Sequence, residues 1–311
     1  MEQTTTKRIA YIGNFGADWN EEGNAKAIEK LGIQVLRLEE NEFIFDRDVA
    51  KITKFSPDLI LFAKLKLMVM RDVFVREMKK KYKTACWTFD LYFGLRREKT
   101  LKTDPVFKAD YVFSPDGGHD KEFKEKGINH YLLRQGIHED YCFKGTYKKE
   151  YDHDVIFVGS ENYQWPSRTE LCFWLQKTYG NRFHWYGRLN TLEIRGTKLN
   201  DLYASAKIVI GDSVYSPNYW SNRLYETLGR GGFLLFPEIL GLDKEYTPYK
   251  HYIPFKFDDY RGLKEKIDYF LTKPAERLKI ANSAFEHTKN NHTLNHRVKT
   301  LIDIIDRNPR V

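Results

Sequence analysis

The chain has 311 residues, 41% of them hydrophobic and 15% aromatic, enough for two domains of ordinary size or a single large one. No apolar run approaches the roughly 20 residues of a membrane span, and the opening MEQTTTKR is polar rather than an apolar leader, so the sequence implies a soluble, cytoplasmic protein that meets no membrane. The net charge of +8 points to an anionic partner, while the widely separated Cys86, Cys142 and Cys172 fit neither a disulfide framework nor zinc-ligand spacing.

In chain order, RIAYIG reads as a strand, GNAKAIEKLG as a helix, QVLRL and DLILFA as strands, and Val69 to Lys81 as a helix. TACWTF and DYVFS follow as strands, Asp120 to Lys126 as a helix, and INHYLL as a strand. Short β-rich runs separated by amphipathic helices imply a parallel sheet covered on both faces, a Rossmann-like first domain over 1–148. The charged, turn-rich GTYKKEYDHD reads as a linker.

The alternation then restarts. DVIFVGS, RFHWYG, KIVIGDS and GFLLF read as strands, and Ser167 to Thr178, LNDLYASA, the run before Gly231 and the segments from Tyr260 onward as helices. This gives a second Rossmann-like domain over 149–290. The closing HRVKTLIDIID places Val298, Leu301, Ile302 and Ile305 on one face, and the helix of 291–311 is expected to pack toward the first domain. Two doubly wound α/β domains in succession imply an intervening cleft at the carboxyl ends of the two sheets, where ligands should bind.

Several motifs occur in order: FVGS at 157–160 with Arg168 following, LYASAKIVIGDS at 202–213, YWSNRLYETLGRGGFLL at 219–235, and a closing helical run with HTLNHRV. They resemble the C-terminal domain of CgeB-like glycosyltransferases, members of the two-Rossmann-domain (GT-B) class that use sugar nucleotides. In the first half, GNFG, FDLYFGLRRE and SPDGGH are similar to phage and environmental relatives. The resemblance implies an N-terminal acceptor domain, a C-terminal donor domain and a UDP-linked sugar as co-substrate, with no resident cofactor. No D-x-D stands at a strand end, so a metal-independent reaction is expected, with arginines and a helix N-terminus carrying the diphosphate charge.

On this reading the run from Tyr219 presents Asn222, Arg223 and Glu226 on the side opposite Leu224, Tyr225 and Leu228. Ser221 or Asn222 is expected to cap the helix, Arg223 to hold phosphate oxygens, and Glu226, like the family glutamate, to accept ribose hydroxyls. Gly159 and Ser160 at a strand end offer backbone N–H groups, Arg168 a second phosphate charge, and Tyr186, Gly187 and Arg188 a wall for the base. One family pattern is missing. Many retaining relatives carry a second glutamate seven positions before this one, and the matching region here, SPNYW, holds no acid.

Catalysis is therefore expected to use a base from the first half: Asp90, or Asp116 or His119 in the glycine-rich turn after YVFS. Asp116 is also a turn former, and His119 also suits a helix start. Asn14, Phe15, Tyr92, Arg96 and Arg97 are the expected acceptor contacts. YIGNFGADW lacks the G-x-G-x-x-G spacing of a nicotinamide site. His292 and His296 have an H-x-x-x-H spacing but read as a solvated helix start rather than metal ligands. The basic balance and the aromatic-basic FDLYFGLRR favour a hydroxymethylpyrimidine base in DNA as acceptor. A glycan, cell-surface or protein acceptor, or a binding protein without turnover, are the alternatives.

Overall fold

The computed structural model describes residues 5–16, 19–161, 166–188 and 194–308. It divides into two compact units, Met1–His138 with Leu294–Val311, and Glu139–Thr293.

The first unit runs β1 (Arg8–Gly13), α1 (Asn20–Lys30), β2 (Gln34–Glu39), α2 (Phe45–Phe55), β3 (Leu59–Phe62), α3 (Arg71–Lys81), β4 (Lys83–Trp87), β5 (Tyr111–Ser114), α4 (Asp120–Glu125) and β6 (His130–Leu132). The six strands are parallel and ordered β2-β1-β3-β4-β5-β6. Alternate residues of β1 explain the layering: Ala10 and Ile12 join a core with Ile52, Phe74, Met78 and Phe123, beneath α2, α3 and α4. Ile9 and Tyr11 join the opposite core with Ile28, Val298, Leu301 and Ile305. The last of these lie on α10 (Leu294–Arg307), which packs beside α1 on the first unit's sheet.

The second unit runs β7 (Val155–Val158), α5 (Pro166–Tyr179), β8 (Phe183–Tyr186), α6 (Gly196–Ser205), β9 (Ile208–Ile210), α7 (Arg223–Gly229), β10 (Leu234–Pro237), β11 (Ile253–Phe255), α8 (Tyr260–Leu271) and α9 (Pro274–Asn291). Its five parallel strands are ordered β11-β10-β9-β7-β8. The boundary expected at 148 lies inside this unit. The Asn200 side-chain amide of α6 donates to the carbonyls of Tyr141 (2.8 Å) and Phe143 (2.6 Å). Asp201 accepts the Thr146 N–H and Ser205 Oγ the Lys148 N–H, each at 2.8 Å. A segment whose backbone groups are satisfied by one helix belongs with that helix.

Both sheets wind alike. Strand order reverses between β1 and β3 in one unit and between β7 and β9 in the other, the positions where doubly wound sheets open a crevice at their carboxyl ends.

Candidate active site

At the β7/β9 switch point the second unit gathers two guanidinium groups around one carboxylate. Asp212, just beyond β9, receives Arg168 Nε at 2.6 Å and pairs with Arg223 Nη1 at 2.9 Å. Arg168 Nη1 also donates to the Ser160 carbonyl (3.2 Å) and Arg223 Nε to the Val158 carbonyl (2.9 Å), so both cations lie against the end of β7. A Cβ on Gly159 would sit 2.5 Å from Arg223 Nη2, so a larger residue there would push the guanidinium away from the turn. Burial, and then the Arg223 charge, pull the Arg168 guanidinium below its usual range. The cluster carries one positive charge in excess, the electrostatic form of an anion site.

The helix start differs from expectation. Asn222 already has helical backbone angles and its side chain makes no cap; it reaches Glu226 at 3.4 Å instead. Ser221 Oγ donates to the Asp212 carbonyl at 2.5 Å. Ser221 and Asn222 thus brace the strand end and Glu226 rather than satisfy the first turn of α7, a helix of only seven residues. Nor do Arg223 and Glu226 pair with each other. Glu226 receives Arg230 Nε (3.1 Å) and Nη2 (3.0 Å), and Arg230 is itself buried over the Tyr141 ring and hydrogen-bonded to the Gly196 carbonyl. Beside β7 and β8, the Tyr186 ring is core and its hydroxyl meets His153 Nε2 (2.9 Å). Gly187 takes φ +89°, and Arg188 lies over Trp185 and Phe173, 3.8 Å from Glu161.

In the first unit, Asp90 beyond β4 is paired with Lys64 beyond β3 and with Arg97 Nη1 at 2.7 Å. Its carboxylate remains partly exposed at the carboxyl edge of the sheet. Asp116 is placed differently. It is fully buried, with Oδ1 accepting the Tyr92 and Phe93 N–H groups (2.7 and 2.9 Å) and Oδ2 the Ser114 hydroxyl (2.9 Å). Its part is structural: it pins the loop after β4, and burial raises its pKa. The same pins turn Tyr92 inward, where it packs edge-on against Phe107 and burial pushes its phenol up to about 12. Tyr92 is a core residue, not a stacking platform for an acceptor. Arg96 is exposed, and His119 stacks on Phe93 with Nδ1 3.3 Å from Glu122. Asn14 is half-buried, and the Phe15 N–H faces Glu39 at 3.3 Å.

Ser114 also contacts His130 Nε2 (2.9 Å), whose Nδ1 faces Asp120 (3.2 Å) and whose ring stacks on Phe123. Burial pulls the His130 pKa down to about 4 despite Asp120. The folded state thus favours neutral imidazole, so its stabilising share is complete above pH 6.5 and is lost as pH falls from 6.5 toward 4, by roughly 3 kcal/mol. Urea melts across that interval should show the loss, and His130→Gln should flatten it.

Two residues of the cluster carried no role in the sequence reading. Asp212 stands in the quoted GDS at a strand end, and Arg230 stands four residues after Glu226, the spacing of helical ion pairs. Both signals were present in the residue types. Among the described residues, no group of three or more His, Cys, Asp or Glu side chains is arranged to hold a metal ion, and no helix is long and apolar enough to cross a membrane.

A sequence-family profile described as glycosyl transferase-like matches residues 148–303, half of the chain. The chain belongs to this glycosyl transferase-like family. No curated protein sequence matches significantly. Among solved structures, sucrose-phosphate synthase from Thermosynechococcus elongatus is similar at 13% identity and TM-score 0.68, covering 96% of this chain and 98% of that one. HepE of Anabaena, in complex with UDP and glucose, is similar at 11% identity and TM-score 0.61, covering 97% and 100%. An alpha-glucosyltransferase in complex with UDP and a 13-mer DNA is similar at 12% identity and TM-score 0.67, covering 96% and 99%. These likenesses establish the fold, two Rossmann-like domains of the GT-B class. The protein is a glycosyltransferase. If Glu226 takes the donor's hydroxyls as the family resemblance implies, Glu226→Ala should weaken nucleotide-sugar binding by about 1.5–3 kcal/mol, as expected for lost hydrogen bonds to a charged acceptor. Calorimetric titration against wild type measures the difference.

Proposed function

We propose that this glycosyltransferase moves a sugar from a UDP-linked donor to the hydroxymethyl group of a modified pyrimidine in DNA, as a CgeB-like, phage-type member of its class. The observation that carries the donor half is the excess positive charge of Arg168 and Arg223 on Asp212 at the β7/β9 switch point. In this reading the diphosphate lies on those guanidiniums, Glu226 takes the ribose hydroxyls, and the backbone at 186–188 flanks the base. No metal is invoked, because two arginines can carry the charge of the departing UDP. UDP bound to HepE and to the alpha-glucosyltransferase supports the choice of nucleotide.

On the acceptor side, Asp90 takes the proton from the attacking hydroxyl, with His119 as the second candidate. The acceptor oxygen bonds to the anomeric carbon as the bond from that carbon to the diphosphate breaks. The net charge of +8 and the DNA bound by one structural neighbour support DNA as acceptor; the burial of Tyr92 removes one aromatic contact from that argument. Incubation of the protein with UDP-sugars and hydroxymethylcytosine DNA, unmodified DNA or short glycans, read by mass spectrometry, tests both halves. Added hexose mass on the modified DNA alone is the expected result. Transfer to glycans with modified DNA untouched overturns the acceptor, and no transfer from any donor, with UDP still bound, indicates a binding protein.

A further inference from the structure

The opposite edge of the first unit's sheet carries a feature that sugar transfer does not use. At the amino ends of β5 and β6 lies a cavity of about 700 Å³. Four lysines line it: Lys79 from the last turn of α3, whose Nζ donates to the Lys108 carbonyl at 2.7 Å, Lys102 and Lys108 from the turns between β4 and β5, and Lys126 from the turn after α4, whose Nζ lies over the Phe93 ring. Asp110 is the one carboxylate in its lining. That carboxylate is already engaged, accepting the Thr84 N–H and hydroxyl at 2.9 Å each and facing Lys79 at 3.5 Å.

Several other lysines sit on acids: Lys51 on Asp48 at 2.8 Å, Lys80 on Glu77 at 2.8 Å, and Lys207 on Asp154 at 2.6 Å. Among the described residues, Lys102 and Lys108 have no such partner, and both are exposed. An adjoining cavity of about 450 Å³ shares Lys79 and Lys108; its other cations, Arg76 and Lys80, both pair with Glu77, and Asp72 also lines it. Like charges brought into one concavity repel one another, and the repulsion is relieved when an anion enters. The volume falls within the roughly 300–1,000 Å³ of small-molecule sites.

We infer that this lysine-lined cavity is an exosite for a phosphate-bearing ligand, at the sheet edge opposite Asp90. Flexible ammonium groups suit phosphate as point charges and need no fixed bidentate geometry. The phosphate has two sources to distinguish, a nucleic-acid backbone and a compact phosphorylated metabolite.

The test uses the full chain carrying Arg223→Ala, which disables the candidate donor site, and titrates it with inorganic tripolyphosphate by calorimetry. Binding is expected to persist in this background and to weaken by about tenfold or more when Lys102→Gln and Lys108→Gln are added. Neither lysine has an ion pair to lose, so thermal melts should be unchanged. Absence of tripolyphosphate binding, or an affinity indifferent to the two lysines, overturns the proposal. Titration with a DNA duplex then identifies the source. Loss of duplex affinity with a log–log salt slope shallower by about 1.8 assigns the phosphates to nucleic acid, whereas duplex binding unaffected by substitutions that abolish tripolyphosphate binding assigns them to a compact ligand. Sugar-transfer rates on short acceptors report separately on the proposed reaction.

Discussion

Asp212→Ala is expected to destabilise the protein by about 3–5 kcal/mol. The substitution removes the carboxylate shared by two largely buried guanidiniums and leaves Arg168 and Arg223 to repel each other at the end of β7. Urea melts of wild type and variant measure the loss. The anion-site reading adds a second outcome: phosphate in the buffer should stabilise the variant more than it stabilises wild type, since a bound anion replaces the missing charge. A loss below about 1 kcal/mol, the value of an exposed ion pair, would mean that solvent already screens the cluster.

Asp90→Asn is expected to reduce sugar transfer by about 10²- to 10⁴-fold, the range for loss of a positioned base, with UDP affinity unchanged. Amide and carboxylate are close in shape, so Lys64 and Arg97 keep a neighbour of the same size. Initial rates with saturating donor, paired with UDP calorimetry, separate the two effects. A variant that retains wild-type turnover moves the base to His119, whose ring is held on Phe93 beside the same loop.

Much of the architecture is written in local pattern. β1, β3 and β7 are continuous apolar runs because both faces of a parallel sheet are covered, and such runs bounded by glycine and polar residues are legible without a partner in view. Phe45–Phe55 escaped because its apolar residues are spaced among five charges, and only the sheet they pack on reveals the face they share. The three residues of β11, with Pro254 in the middle, are too short for any alternation to register.

The domain boundary shows a different limit. GTYKKEYDHD has the composition of a linker, yet Asn200, Asp201 and Ser205 hold the backbone just before it and at its start. Those partners stand more than fifty positions away, beyond the reach of composition. At the site, Arg168, Arg223 and Glu226 were readable as charges on recognisable motifs, but their partners were not. Whether Arg223 meets Glu226 or Asp212 depends on where β9 ends, and Tyr92 turns inward because Asp116 captures the two amides beside it. Residue type announces what chemistry a position can offer. Tertiary contact decides which way it faces.

The proposed donor binding places the diphosphate on Arg168 and Arg223 at the β7/β9 switch point. Calorimetric titration of UDP into wild type, Arg168→Ala and Arg223→Ala tests it most directly. The arrangement predicts that wild type binds and that each substitution weakens binding by about tenfold or more, the double substitution further still. UDP bound with equal affinity by all of them would contradict it.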